Sequence, residues 1–450
     1  MIRNNRNIHF VGIGGSGMSG IAEVLINLGH NVSGSDLKKT EVTEHLKAIG
    51  AKIFIGHDEK NIKNAEVVVA STAVSRSNPE VAAALKNKVP VIPRVEMLAE
   101  LARLKYAVTI AGTHGKTTTT SLTALVLDEG GLDPTIVIGG RLKNLKTSAR
   151  LGRGEYIVAE ADESDGSFLK LSPVITVVTN IDNDHLDYYG DMDNLKEAFA
   201  RHINGIPFYG AAIICSDDKV IKEIMPKISR KYVTYGLKGE PDIKAEKIKV
   251  LAGCASFDVI YMGKKAGNVC IRMPGRHNIL NALASIGVGL YLGIPFNHIA
   301  GAINKFEGVG RRLEIKGEKN GITVIDDYGH HPTEVDATIR AVKHFWPKRR
   351  LWVLFQPHRY TRTKALYNEF GKSFKKADFV KVLEIYAAGE KEIEGVHSGL
   401  ILESLKKNKC RAAGFEGIGA FVKELNPGDI VLTLGAGDVW KKGEELLSAM

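Results

Sequence analysis

Residues 107–120 read AVTIAGTHGKTTTT: a short β-branched run, a glycine turn, then Gly115-Lys116-Thr117 opening a helical pattern. A strand that passes through such a turn into a helix wraps polyphosphates. N–H groups of the turn and of the helix N-terminus face the anion, a lysine reaches the β- and γ-phosphates, and a threonine hydroxyl ligates Mg²⁺. The stretch therefore predicts an α/β fold that uses ATP, with Gly112, Thr113, His114, Gly115, Lys116, Thr117 and Thr118 around the phosphates. Only Thr113 and His114 separate Gly112 from Gly115, so the loop is shorter than G-x-x-x-x-G-K-[ST].

On either side of this stretch, apolar strand patterns alternate with helical ones, the mark of βα units on parallel sheets. Strands are expected at Ile8 to Val11, Ala51 to Ile55 and Val67 to Ser71, with a helix over Met18 to Leu28. Beyond the loop come Tyr156 to Ala159, Val174 to Thr179 and Ala211 to Cys215, a strand-rich stretch from Ile243 to Met273, and a helix over Asn278 to Leu292. A third block follows Gly308-Val309-Gly310, with runs at Thr323 to Ile325, Leu351 to Phe355, Phe379 to Ile385 and Ile430 to Leu434. At about 150 residues per domain, 450 residues suit roughly three domains. The expected division is 1–106, 107–309 and 310–450: an N-terminal Rossmann-like, a central P-loop ATPase-like and a C-terminal Rossmann-like α/β domain.

A chain 44% hydrophobic and 25% charged is ordinary globular material, which excludes disordered and fibrous readings. No apolar run approaches the roughly 18 residues that span a bilayer, and the N-terminus has too short a hydrophobic stretch for a signal peptide, so a cytoplasmic location is expected. Cys215, Cys254, Cys270 and Cys410 form no C-x-x-C pair, and four reduced thiols are expected. The net charge of +10 is spread along the chain without a nucleic-acid-reading motif, which points to a basic cleft for small polyanions and not to nucleic acid.

Open α/β sheets gather ligands at the carboxyl ends of their strands. In the central block those ends carry the phosphate loop, then Glu160 in AEADESD, then His185 in NIDNDHLD. Glu160, Asp162, Glu163 and Asp165 offer hard oxygens for Mg²⁺, with Glu160 best placed; the bland alternative is a solvated acidic loop. In the first block, Gly12-Ile13-Gly14-Gly15-Ser16-Gly17 follows a strand, and Asp36 comes 22 residues after Gly14. That is the fingerprint of a dinucleotide site, yet what it recognises is a diphosphate at a helix N-terminus, which a UDP-sugar also offers. In the third block, two strands run into DDYGHHP and QPHRYTR. Arg359 and Arg362, three apart on a helical turn, would share a face and clamp a carboxylate. Of the adjacent His330 and His331, at most one is expected to enter the cleft.

Taken in order, GIGGSGMSGIA, SGSD, AGTHGKTTTT, EADESDGSF, TNIDNDHLD, GRHNILNALA, GRR, DDYGHHPTEV, FQPHRYTRT and TLGAGDVW resemble the Mur ligases, and among them the members that add L-alanine to UDP-N-acetylmuramate in peptidoglycan synthesis. The short phosphate loop is the form this family uses. The resemblance implies an ADP-forming amide ligase with ATP, UDP-N-acetylmuramate and L-alanine as substrates, no membrane partner, and a monomer or weak homodimer. It implies two Mg²⁺ ions, with Mn²⁺ as a substitute, held by Thr117 and Glu160 and by His185, beside Lys116 on the phosphates. His277, Asn278 and Asn281 would lie near the adenine, with Arg312 and Asp327 on the nucleotide from the C-terminal domain. Tyr328, His330, Arg359 and Arg362 would line the amino-acid site, while Gly14, Gly15, Ser16, Gly17, Ser35, Asp36 and Ser71 would face the UDP moiety. Lys116, Glu160, His185, Arg312, Asp327 and His330 are the expected catalytic set. The competing readings are a ligase that attaches a preformed tripeptide to the same sugar nucleotide, an NAD-dependent oxidoreductase, and a nucleotide-binding protein without catalysis.

Overall fold

The computed structural model describes residues 5–450 except 72–73, 145–146, 252–253 and 274. Three sheets follow one another along the chain. The first is wholly parallel, in the spatial order Lys52–Ile55, Asn31–Asp36, Asn7–Val11, Val67–Ala70, Val91–Pro93. Its first strand is apolar on both faces, with Phe10 and Val11 fully buried, as a central strand between helical layers must be.

The central sheet has ten strands. Its parallel part runs Ile243–Leu251, Tyr232–Gly236, Ala211–Cys215, Ile175–Val178, Tyr106–Ala111, Tyr156–Glu160, Thr135–Leu142, and Thr147–Arg150 pairs antiparallel with the last of these. The strands of the phosphate loop and of TNID are direct neighbours, Ala111 lying opposite Val178. The helix Lys116–Glu129 has low intrinsic propensity at its threonines, yet every residue from Thr117 to Leu127 is buried. Tertiary packing decides the matter, and the hydroxyls of Thr120 and Ser121 return to the carbonyls of Lys116 and Thr117 at 2.8 Å.

The third sheet runs Glu314–Lys319, Ile322–Asp327, Ile430–Leu434, Leu351–Phe355, Phe379–Val382, Ala412–Gly414, with only the first strand antiparallel. Its core of Ile325, Val353, Phe355, Leu432 and the helix residues Val335 and Ile339 is sealed from water.

By compactness the chain forms two units. One comprises Met1–Lys247, Phe257–Cys270 and Leu280–Phe306; the other comprises Ile248–Ser256, Ile271–Ile279 and Glu307–Met450. Within the first, the helix Ser16–Asn27 packs on the strands Thr135–Leu142 and Thr147–Arg150, so the first two sheets share one body. Cys254 and Cys270 are disulfide-bonded, which corrects the expectation of four thiols; Cys215 and Cys410 are free. The expectation rested on the absence of C-x-x-C, and sequence spacing carries no information on which distant cysteines a sheet brings together. No helix among the described residues is long and apolar enough to cross a membrane.

Candidate active site

The phosphate loop is shaped by the strand next to it. Thr113 N donates to Asn180 O at 3.1 Å, and His114 N donates to Asn180 Oδ1 at 2.9 Å. The carbonyl of His114 accepts from Thr179 Oγ1 at 2.7 Å and from Asn180 Nδ2 at 2.9 Å, while Asp182 N donates to Thr113 Oγ1 at 2.9 Å. The His114 ring lies 3.0 Å from Asp182 Oδ2. Two glycines are obligatory here. Gly112 has φ +125° and a Cβ on it would collide with Thr179 Oγ1; Gly115 has φ +83° and a Cβ on it would meet Asn281 Oδ1 at 2.7 Å. Asn281, on the helix Arg276–Tyr291, is thereby set against the turn.

Lys116 begins the helix, and its Nζ donates to Gly112 O at 2.7 Å and Thr113 O at 3.2 Å. It also meets both carboxylate oxygens of Glu163, at 2.9 and 2.8 Å. Burial alone would lower the lysine's pKa, but Glu163, Asp162 and Glu160 outweigh it and raise it, so the ammonium stays charged. Glu163, one of the four carboxylates of AEADESD, is 1% exposed, and its carbonyl accepts from Tyr189 Oη at 2.6 Å. Glu160, half-buried at the end of its strand, accepts instead from Gly139 N at 2.8 Å. His185 has φ +59° and begins the short helix Leu186–Tyr189, with Nε2 3.8 Å from Glu163 Oε1 and 3.7 Å from Asp184 Oδ2. Three carboxylates around one ammonium make this region net negative, and hard oxygens in that setting suit a divalent cation.

On the first sheet, Gly14 N donates to Asp36 Oδ2 at 2.9 Å, which ties the glycine loop to the end of the second strand. A Cβ on Gly14 would itself lie 2.9 Å from that oxygen. Gly15 precedes the helix Ser16–Asn27 and offers no side-chain cap to its first turn; for Ser16 the side chain lies outside what is described. Ser71 is half-buried beside Gly12. Ser35 departs from the expectation that it faces a ligand. It is fully buried, and its hydroxyl donates to Glu80 at 2.5 Å and meets His57 Nδ1 at 2.9 Å. Glu80 also accepts from Asn61 at 2.7 Å and lies 3.6 Å from His9.

Sequence reasoning missed Arg94. It lies where Gly17 leaves room, its Nη1 2.8 Å from the place a Cβ would take, and its Nη2 is 3.5 Å from Asp162 Oδ2. A glycine in a helix's first turn could have pointed to a close neighbour, but not to which residue fills the gap.

The second unit gathers its own set. Arg311 and Arg312 hold their guanidinium carbons 4.9 and 5.0 Å from the centre of the Tyr328 ring, and Arg311 is bonded to Asp326 at 3.2 Å. Asp327 accepts from Leu313 N at 2.8 Å and Gly329 N at 2.9 Å; burial raises its pKa to about 6 despite Arg312. His330 packs 5.5 Å from Tyr328 and 5.6 Å from His358, and burial pushes its pKa down to about 4. His331, buried, begins the helix Pro332–Phe345 and accepts from Thr333 N at 3.4 Å. His277 is also held neutral, its pKa lowered to about 4 by burial, beside the buried Asn278.

The shared helical face expected for Arg359 and Arg362 is not formed. Arg359 has φ +70° and precedes the helix Tyr360–Ser373, its N–H bonded to Tyr386 O, while Arg362 sits in the first turn, 3.4 Å from His358 Nδ1. His358 pairs with Tyr386 in a parallel bridge just before this turn, a pairing that i,i+3 spacing does not reveal. His358, stacked on Tyr386 at 5.7 Å, is a further site residue the spacing argument passed over.

Comparison with known proteins covers all three blocks. Residues 7–106 match the Mur ligase family catalytic domain, 110–289 the Mur ligase middle domain, and 311–437 the Mur ligase glutamate ligase domain. Over 448 residues the chain is 74% identical to the UDP-N-acetylmuramate--L-alanine ligase of Endomicrobium trichonymphae, covering 100% of each chain. It is 54% identical to the enzyme of that name from Geobacter sulfurreducens, over 98% of this chain and 97% of the other. The crystal structure of UDP-N-acetylmuramate-alanine ligase from Thermotoga maritima superposes with a TM-score of 0.84 at 30% identity, covering 98% of both chains. A murein peptide ligase from Psychrobacter arcticus, at 24% identity, shares the fold with a TM-score of 0.74, over 99% of this chain and 98% of the other.

Proposed function

The chain belongs to the Mur ligase family, and on that premise we propose that it joins L-alanine to the lactyl carboxylate of UDP-N-acetylmuramate, cleaving ATP to ADP and phosphate in peptidoglycan precursor synthesis. The observation that carries the reading is the full-length match to ligases of this activity. An oxidoreductase would leave the phosphate loop and its acidic neighbours without a task.

In the first step a lactyl carboxylate oxygen attacks the γ-phosphorus, and the bond to ADP breaks to leave an acyl phosphate. In the second, the alanine nitrogen attacks the acyl carbon, phosphate leaves and the nitrogen loses its proton. The obstacle to the first step is the crowding of anions, and Lys116 with the helix N-terminal amides after Gly115 offsets it. Thr117 and Glu160 would hold Mg²⁺, with His185 toward a second ion. Bound there, the metal would act as a Lewis acid that neutralises phosphate charge. Arg312 and Asp327, with His277, Asn278 and Asn281, would act on the nucleotide. The diphosphate of the sugar nucleotide would lie on the Gly14 to Gly17 turn, oriented by Asp36. Tyr328, His330, Arg359 and Arg362 would receive the amino acid, His330 offering a neutral ring that can accept a hydrogen bond from the amine. The reaction is assigned to the cytoplasm.

The test is phosphate release from ATP, Mg²⁺ and UDP-N-acetylmuramate with no acceptor, with L-alanine, with other small amino acids or with the stem tripeptide. Release that depends on L-alanine, with a UDP-N-acetylmuramoyl-alanine product, is expected. Release with the tripeptide instead would reassign the chain to a recycling ligase. Arg359→Ala and Arg362→Ala are each expected to raise KM for L-alanine while KM for the sugar nucleotide stays put; an unchanged alanine KM removes the two arginines from the amino-acid site.

A further inference from the structure

An alkylammonium has three protons, and those of Lys116 are taken up by Gly112 O, Thr113 O and the Glu163 carboxylate. The two carbonyls belong to the loop that carries the lysine. Glu163 comes from a different strand end and is fixed there by the Tyr189 hydroxyl on its carbonyl. Of these acceptors the carboxylate is the one that does not travel with the lysine's own loop, and a phosphate oxygen that takes a proton of Lys116 competes with it directly. The carboxylate would then be left buried, unpaired and beside a triphosphate, which is unfavourable unless a cation arrives with the nucleotide.

We propose that Glu163 is a positioning residue that couples nucleotide binding to the divalent cation. It holds the Lys116 ammonium in place before ATP arrives, and its charge is taken over by the cation that accompanies ATP when the lysine turns to the phosphates. This rests on the proposed reading only in its use of ATP, not in the identity of sugar or amino acid. Glu163 thus differs in task from Glu160, whose carboxylate is engaged by Gly139 N and not by the lysine.

The experiment is calorimetric titration of ATP into wild-type protein, Glu163→Gln and Glu163→Asp, each in excess EDTA and in excess Mg²⁺. Glutamine can still accept from Lys116 but carries no charge to be left behind. Metal-free ATP should bind Glu163→Gln about tenfold more tightly than wild type, so that the advantage conferred by Mg²⁺ shrinks by about that factor. Glu163→Asp, which keeps the charge, should keep the wild-type advantage. The same Mg²⁺ advantage in wild type and Glu163→Gln would overturn the coupling, and an equal shift in Glu163→Asp would overturn charge as its cause. Should the glutamine variant fail to fold, Glu163→Asp decides alone: a collapsed Mg²⁺ advantage there overturns the proposal. Wild-type protein that binds no ATP even with Mg²⁺ would overturn the ATP-dependent reading as well as this one.

Discussion

A side chain such as Lys116 has to stay charged although it is mostly withdrawn from water, and it does so because three carboxylates outweigh its desolvation. Its removal should cost more than its ground-state contacts suggest, because the same ammonium must offset charge that develops on the transferring phosphoryl group. Lys116→Ala is expected to lose at least roughly 2.7–4 kcal/mol of transition-state stabilisation, a hundredfold or more in kcat. Near-normal single-turnover rates in a folded variant would remove the lysine from the chemistry. At this scale the sequence was informative about residue types and poor about partners. The acidic cluster after Tyr156–Glu160 was legible as a group, but which carboxylate meets the lysine depends on how the chain turns after the strand. Arg94 was invisible because its partners, Gly17 and Asp162, lie far away in the chain.

Among elements, the parallel strands were the legible part, since β-branched runs bounded by glycine turns are what a doubly covered sheet requires. The expected strands at Ala107 to Ala111, Leu351 to Phe355 and Ile430 to Leu434 appear with at most one residue's difference. The helix Lys116–Glu129 announced itself only through the loop before it, because a helix buried on every side shows no apolar stripe. The Arg359 turn was misjudged for a related reason: local spacing assumes a regular helix, and the bridge from His358 to Tyr386 comes from another strand's continuation. The strongest dependence between elements is that of the phosphate loop on the TNID segment. Asn180→Ala removes two side-chain bonds to His114, each worth about 1 kcal/mol, and is expected to weaken ATP binding by roughly tenfold or more. An ATP affinity equal to wild type would mean that the loop holds its own shape.

For the whole molecule, buried groups answer acid in different ranges of pH, as His202 and Glu80 illustrate. His202 is buried against Phe168 and Thr176, and desolvation lowers its pKa from 6.5 to about 4. The unfolded chain therefore takes up the proton first, so stability is full above 6.5 and falls as pH drops toward 4, by ~3 kcal/mol. Burial would raise the pKa of Glu80, but the nearby His9 and the bonds from Ser35 and Asn61 outweigh that and hold it at about 2, so the stability it contributes is lost only as pH falls from 4.5 toward 2. Thermal midpoints measured across this range should show His202→Gln losing less than wild type between pH 6.5 and 4, and parallel curves would deny the histidine that part. The three sheets were readable from the sequence, whereas the joining of the first two through the helix Ser16–Asn27 was not, because surface patterning does not name the partner of a helix face. The clamp on the phosphate loop also bears on how the protein is made. Lys116 leaves the ribosome 66 residues ahead of Asp182, an interval of roughly 3–13 s at 5–20 residues per second. Throughout that interval the glycine turn lacks Asn180 and Asp182, so a nucleotide met during synthesis finds the turn without the bonds that give it its shape.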